Sequence, residues 1–173
     1  MNAKSITKTA LLTAAALVMF VIESHIPNPI PIPGAKLGLA NIFVVYALYA
    51  IDAKHALCLL FCKVMLGSLL AGHGSGLLYS AAGGGLCFLL MLLAKQLLHG
   101  RRLWLCSVVG ALGHNAGQLA MAIAVTRTWQ VAALTPALLT AGFVTGLFTG
   151  LAAQFAYERL EGIRPNHAGG TER

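Results

Sequence analysis

Acidic residues are scarce in this chain: five in 173, against twelve lysines and arginines, for a net charge of +7. Asp52 is the single aspartate, so no aspartate-rich site for a Mg²⁺–diphosphate can be assembled from it. Charged residues of both signs make up only 10%, where a soluble domain carries about 25%. Walker A, GxSxG and HExxH patterns are missing, which leaves this chain no phosphate loop, nucleophile elbow or zincin helix. Cysteine is sparse as well. Cys58, Cys62, Cys87 and Cys106 all fall inside apolar stretches, where the thiol behaves as a small hydrophobe, so neither a disulfide framework nor a metal site is expected. The basic residues stand singly or in pairs at the ends of apolar runs. That placement sets membrane topology; it does not build a nucleic-acid surface.

What the chain has in abundance is apolar length, with 58% of its residues hydrophobic. Runs of spanning length number six, at about 6–25, 37–51, 55–72, 77–98, 103–126 and 132–157, the second being short. The expected fold is all-α, an integral membrane six-helix bundle over residues 1–162 followed by a polar cytoplasmic tail at 163–173. The first run lies behind Lys4 and Lys8 and ends in Glu23-Ser24-His25-Ile26-Pro27, without a small-x-small cleavage site, so it reads as a retained helix. Lys4, Lys8, Lys54, Lys95, Arg101, Arg102, Arg159, Arg164 and Arg173 fall on one side, and Lys36 and Arg127 on the other. The positive-inside rule then puts both termini in the cytoplasm of a multi-pass protein of the inner (plasma) membrane.

Pro27, Pro29, Pro31 and Pro33 punctuate the connection after the first run. Four missing donors and four fixed φ angles rule out helix and predict a stiff, extended, polyproline-like lid on the outer surface. Lys36 and Asn41 follow at the mouth of the second helix, where the macrodipole favours an anion. Further on, polar groups within apolar runs are few and costly. Glu23 closes the first helix, Lys63 is central in the third, and His114, Asn115 and Gln118 are central in the fifth. His114 and Gln118, four apart, share a face, with Asn115 beside them. The functional reading is a substrate-binding set of Glu23, Lys36, Asn41, Lys63, His114, Asn115 and Gln118. The structural alternatives are an interhelical hydrogen-bond clamp for the fifth-helix residues and a Lys63–Glu23 salt bridge. The double GxxxG at Gly142, Gly146 and Gly150, and the pair Gly113 and Gly117, predict close helix packing. Gly83-Gly84-Gly85 predicts a bend or close packing.

The stretches PIPGAKLGLANI (31–42) and GALGHNAGQL (110–119), with a lysine in the third helix, resemble the Gx transporter family, which also carries the label heptaprenyl diphosphate synthase component I. That family is similar to the substrate-binding S components of energy-coupling factor (ECF) transporters. The resemblance implies a six-helix protein with an outward pocket lidded by the loop after helix one, serving uptake of a vitamin or cofactor precursor. It implies no catalytic residue, no cofactor, and two partners: a transmembrane coupling subunit and separate ATPases. The substrate it implies is a small molecule, and the lysines favour an anionic one. Lys36 and Asn41 fall in the first motif; His114, Asn115 and Gln118 fall in the second. Ala10 and Ala14 match the alanine-x-x-x-alanine face by which S components dock. The other label implies a different role, a membrane accessory component of heptaprenyl diphosphate or quinone biosynthesis without a catalytic site of its own.

Overall fold

The computed structural model describes residues 3–26, 38–70, 74–98 and 102–161. The expected proline lid, Lys36 and the polar tail lie outside the described residues. Among the described residues the chain is all helical, in the order α1 (Ala3–His25), α2 (Asn41–Ala50), α3 (Ala53–Leu70), α4 (Gly74–Leu97), α5 (Leu103–Thr126) and α6 (Thr135–Glu161), with a 3₁₀ turn at Trp129–Leu134 before α6. Five of these helices are long and apolar enough to cross a membrane, and α2 is not. The molecule is a multi-pass helical membrane bundle.

Local chemistry sets the helix ends. Gly38 takes φ +82°, a left-handed conformation that costs glycine nothing, and so turns the chain into α2. The Asn41 N–H then bonds the Gly38 carbonyl at 2.9 Å. Ten residues of helix reach only about 15 Å, half the hydrocarbon thickness, so the second run, expected at 37–51, starts inside the bundle and not at its surface. Asp52 caps α3, its Oδ1 accepting from the His55 N–H and meeting His55 Nδ1, both at 2.8 Å. These two contacts hold the Asp52 carboxyl below its usual range. α5 stops at Arg127, whose φ of 52° is an αL cap and whose N–H returns to the Ile123 carbonyl at 2.8 Å. Pro136 falls in the first turn of α6, where a missing N–H costs nothing. Threonines inside the apolar helices satisfy their hydroxyls locally: Thr9, Thr13 and Thr126 each donate to the carbonyl four residues back at 2.8 Å.

α5 lies between α4 and α6, and both contacts are made through glycine. A Cβ on Gly117 would meet the Ala82 carbonyl oxygen at 2.5 Å, and one on Gly150 would meet the Trp104 backbone at 2.8 Å. Gly83 and Gly84 pack closely in the same sense, against Gln118 and Leu60, and α4 runs through them without a break. α2 is the most enclosed helix. Val44, Val45, Ala47 and Leu48 are essentially inaccessible and pack into a core with Leu59, Met91 and Cys106. The outer face of α6, including Phe143, Phe148 and Phe155, is exposed and apolar, as a surface in lipid should be.

α1 packs on α3 and α2. Its one described link to α6 is polar: Lys8 forms an ion pair with Glu161, and Tyr46 Oη donates to the same carboxylate at 3.1 Å. Tyr157 packs edge-on to both Tyr46 and Tyr49, so the ends of α1, α2 and α6 are joined by one aromatic and ionic cluster.

Candidate functional site

The polar residues of α1, α3 and α5 converge at the start of α2. Phe20 and Glu23 of α1, Gly38 and Ala40 before α2, Lys63 of α3, Ser80 of α4 and His114 of α5 line one cavity. Its volume is about 10 Å³, room for about one water molecule. Four helices and one turn therefore supply a site whose polar groups are almost all inside: Glu23 is 5% exposed, Lys63 4%, and His114 5%.

Each charged group has a fixed partner. Glu23 Oε1 accepts the backbone N–H of Gly38, which ties the end of α1 to the turn that begins α2. Lys63 Nζ donates to Asn41 Oδ1 at 2.5 Å. The depths of Glu23 and Lys63 look mismatched along the sequence, yet both reach the cavity, because a lysine stem covers about a helical turn. Asn41 Nδ2, buried, has no partner among the described residues. It lies where a Cβ on Gly38 would touch it at 2.9 Å, with the His114 ring 3.1 Å from the same point. Glycine at 38 thus serves twice, for its φ and for the approach of two polar side chains.

His114 and Gln118 lie on one face, their Nε2 atoms 3.0 Å apart. The contact joins the Gln118 amide to the His114 imidazole. Gln118 is completely buried behind the imidazole and orients it. Asn115 is turned elsewhere: its Nδ2 donates to the Leu138 carbonyl of α6 at 2.6 Å, and a Cβ on Gly142 would meet it at 2.7 Å. Of the expected set, the structure brings Glu23, Asn41, Lys63, His114 and Gln118 together. Asn115 joins α5 to α6, and Lys36 lies outside the described residues.

Phe20, Ser80, Gly38 and Ala40 are site residues that sequence reading did not single out. Ser80, a hydroxyl in an apolar run one turn before Gly83, carried a weak signal; Phe20 carried none. The Phe20 ring is held by Gly67, where a Cβ would stand 2.8 Å from it. Among the described residues no group of three His, Cys, Asp or Glu side chains could hold a metal ion. Ala10 and Ala14 are both exposed on α1, well before the cavity residues of that helix.

A membrane-embedded helical bundle with a small, buried, doubly charged polar site is the class these features define. The family model for heptaprenyl diphosphate synthase component I matches residues 12–156, and the chain belongs to that family. Neither the curated proteins nor the solved structures contain a significant match to it.

Proposed function

We propose that this protein is a substrate-binding subunit of a small-molecule uptake system, similar to the S components of ECF transporters, and that it catalyses no reaction itself. The observation that carries the reading is the convergence of Glu23, Lys63 and His114 on one buried cavity, with Asn41 and Gln118 bonded to them. Charged groups within a membrane bundle cost about 2.5–3.5 kcal/mol each to insert, a cost that packing alone does not call for and ligand recognition does. On this reading Lys63 and Asn41 hold an acidic group of the ligand, His114 and Ser80 complete the polar wall, and Gln118 fixes the imidazole. The energy comes from separate ATPases through a transmembrane coupling subunit. The exposed Ala10 and Ala14 strip of α1 is the docking face for that subunit. Both chain ends face the cytoplasm, and the membrane is the plasma membrane.

Mass spectrometry of small molecules that co-purify with the detergent-solubilised protein tests this. A molecule retained by the wild type and lost from Lys63→Ala supports a binding subunit; an empty wild type under all extraction conditions overturns it.

The family name favours a second reading, an accessory component of prenyl diphosphate synthesis whose catalysis resides in a partner. Restored prenyltransferase activity on mixing with a purified soluble partner would establish it, and ATP-dependent uptake would not be seen.

A further inference from the structure

We infer that α1 is the moving wall of this bundle: the half that carries Phe20 and Glu23 tilts away from α3 and opens the cavity, while the end at Lys8 stays fastened to α6. The inference goes beyond the binding reading, because it concerns how anything larger than water reaches the cavity.

The cavity as it stands has room for about one water molecule, so a wall must move before a ligand enters. The attachments of the helices show which wall that is. α5 is locked to both its neighbours backbone against backbone: a Cβ on Gly117 would meet the Ala82 carbonyl oxygen at 2.5 Å, and one on Gly146 would meet Val108 Cα at 2.8 Å. Seams that close leave no room for sliding. α1 is attached in another way. It packs on α3 and α2 and, among the described residues, on no other helix. Its buried residues are Thr9, Ala16, Phe20 and Glu23, a single narrow stripe. Its tight contact with α3 is a side chain in a notch, since a Cβ on Gly67 would stand 2.8 Å from the Phe20 ring. A ring can leave a notch by a small movement of its helix; interlocked backbones cannot part so easily.

The fastenings also differ along α1. Near its N-terminus Lys8 pairs with Glu161 of α6, and the same carboxylate accepts the Tyr46 hydroxyl of α2 at 3.1 Å. Phe20 lies twelve residues beyond Lys8, about 18 Å along the helix. A tilt of about 15° around the Lys8 end therefore carries the ring about 5 Å, enough to clear the notch. Phe20 and Glu23 are both cavity residues, so the same tilt removes one side of the cavity. The bond from the Gly38 N–H to Glu23 makes the turn before α2 part of the moving end.

The test measures distances between paired nitroxide labels on the full chain in lipid nanodiscs, with Cys58, Cys62, Cys87 and Cys106 replaced by alanine. One pair replaces the exposed Ile22 of α1 and Leu78 of α4; the other replaces the exposed Ile6 of α1 and Leu97 of α4. In Gly67→Ala, whose new methyl displaces the Phe20 ring, the longer Ile22–Leu78 population should rise about fivefold or more, with the Ile6–Leu97 distance unchanged. Glu161→Gln, which frees the pivot, should instead broaden the Ile6–Leu97 distances. An unchanged Ile22–Leu78 distance in Gly67→Ala overturns the inference, and so does equal lengthening of both pairs. If gel filtration shows that Gly67→Ala does not fold, Phe20→Val, which shortens the catch and fills nothing, carries the same expectation. A small molecule that co-purifies with a chain whose α1 does not tilt would end this inference and leave the binding-subunit reading standing.

Discussion

Lys63 Nζ donates to Asn41 Oδ1 at 2.5 Å, joining the centre of α3 to the first residue of α2. At its other end, the Leu48 carbonyl of α2 accepts from Lys95 of α4 at 2.6 Å, and Lys95 lies over the Tyr49 ring. A helix too short to span is thus held at both ends by lysines from its neighbours. Its N-terminal fastening lies at the cavity and its C-terminal one beside the aromatic cluster of Tyr46, Tyr49 and Tyr157.

Removing the ammonium leaves Asn41 Oδ1 buried without that donor. Hydrogen bonds to charged groups contribute about 1.5–3 kcal/mol, so Lys63→Met should lower the melting temperature modestly and weaken retention of the co-purifying molecule strongly. The comparison is made on the folded fraction recovered by gel filtration. Equal retention in mutant and wild type would remove Lys63 from the site.

Asn115→Ala should behave in the opposite way. Its amide bonds the α6 backbone and not the cavity, so its loss should cost about 0.6–2 kcal/mol of stability and leave ligand affinity within about twofold of wild type. Thermal melts and binding measured on the same preparation separate the two effects. A large fall in affinity without a fall in stability would place Asn115 in the site.

Gly150→Ala puts a Cβ 2.8 Å from the Trp104 backbone, and backbone cannot step aside as a side-chain tip can. Overpacking of this kind costs about 1–3 kcal/mol, while Gly85→Ala, open on all sides, should be neutral or slightly stabilising. Parallel melting curves check both, and equal curves would show that α5 and α6 are less closely packed than the structure has them.

Asp52 caps α3 and carries a carboxyl held below its ordinary value by His55. A lowered folded value means that its stabilisation is complete above the unfolded value of about 3.9 and is lost as pH falls through the lower, folded value. Asp52→Ala should cost about 1 kcal/mol at neutral pH, and the gap from wild type should close below about pH 4. Melting temperatures of both proteins across pH 3–7 measure it. A gap that widens on acidification would contradict the cap.

Ala14→Trp places a large ring on the exposed strip of α1, far from the cavity. On the uptake reading proposed above, ATP-driven uptake and co-purification with a coupling subunit should be abolished while the isolated protein still retains any small molecule that the wild type retains. Intact transport in the variant would remove this strip from the docking surface.

The number of helices, their apolar length and which polar residues stand inside apolar runs were determined by the sequence, since insertion energetics act on each segment by itself. Twenty apolar residues must be a helix in lipid, and Glu23, Lys63, His114 and Gln118 stand out because such groups are expensive there. The close seams at Gly117 and Gly150 were legible too, in the GxxxG spacing. Tertiary structure decided which polar residues meet. His114, Asn115 and Gln118 read as one cluster along α5, but neighbouring positions on a helix point about 100° apart, and α4 and α6 lie on different sides of it. His114 and Gln118 therefore turn to Gly83 and the cavity, and Asn115 turns to Leu138 of α6. Phe20 and Ser80 carry no polar cost large enough to mark them, and become site residues only because α1 and α4 are packed where they are. That α2 is short was legible in its short apolar run, but where it starts was not: an apolar run measures insertion length, whereas the start of the helix was fixed by one left-handed glycine and the carboxylate that holds its N–H.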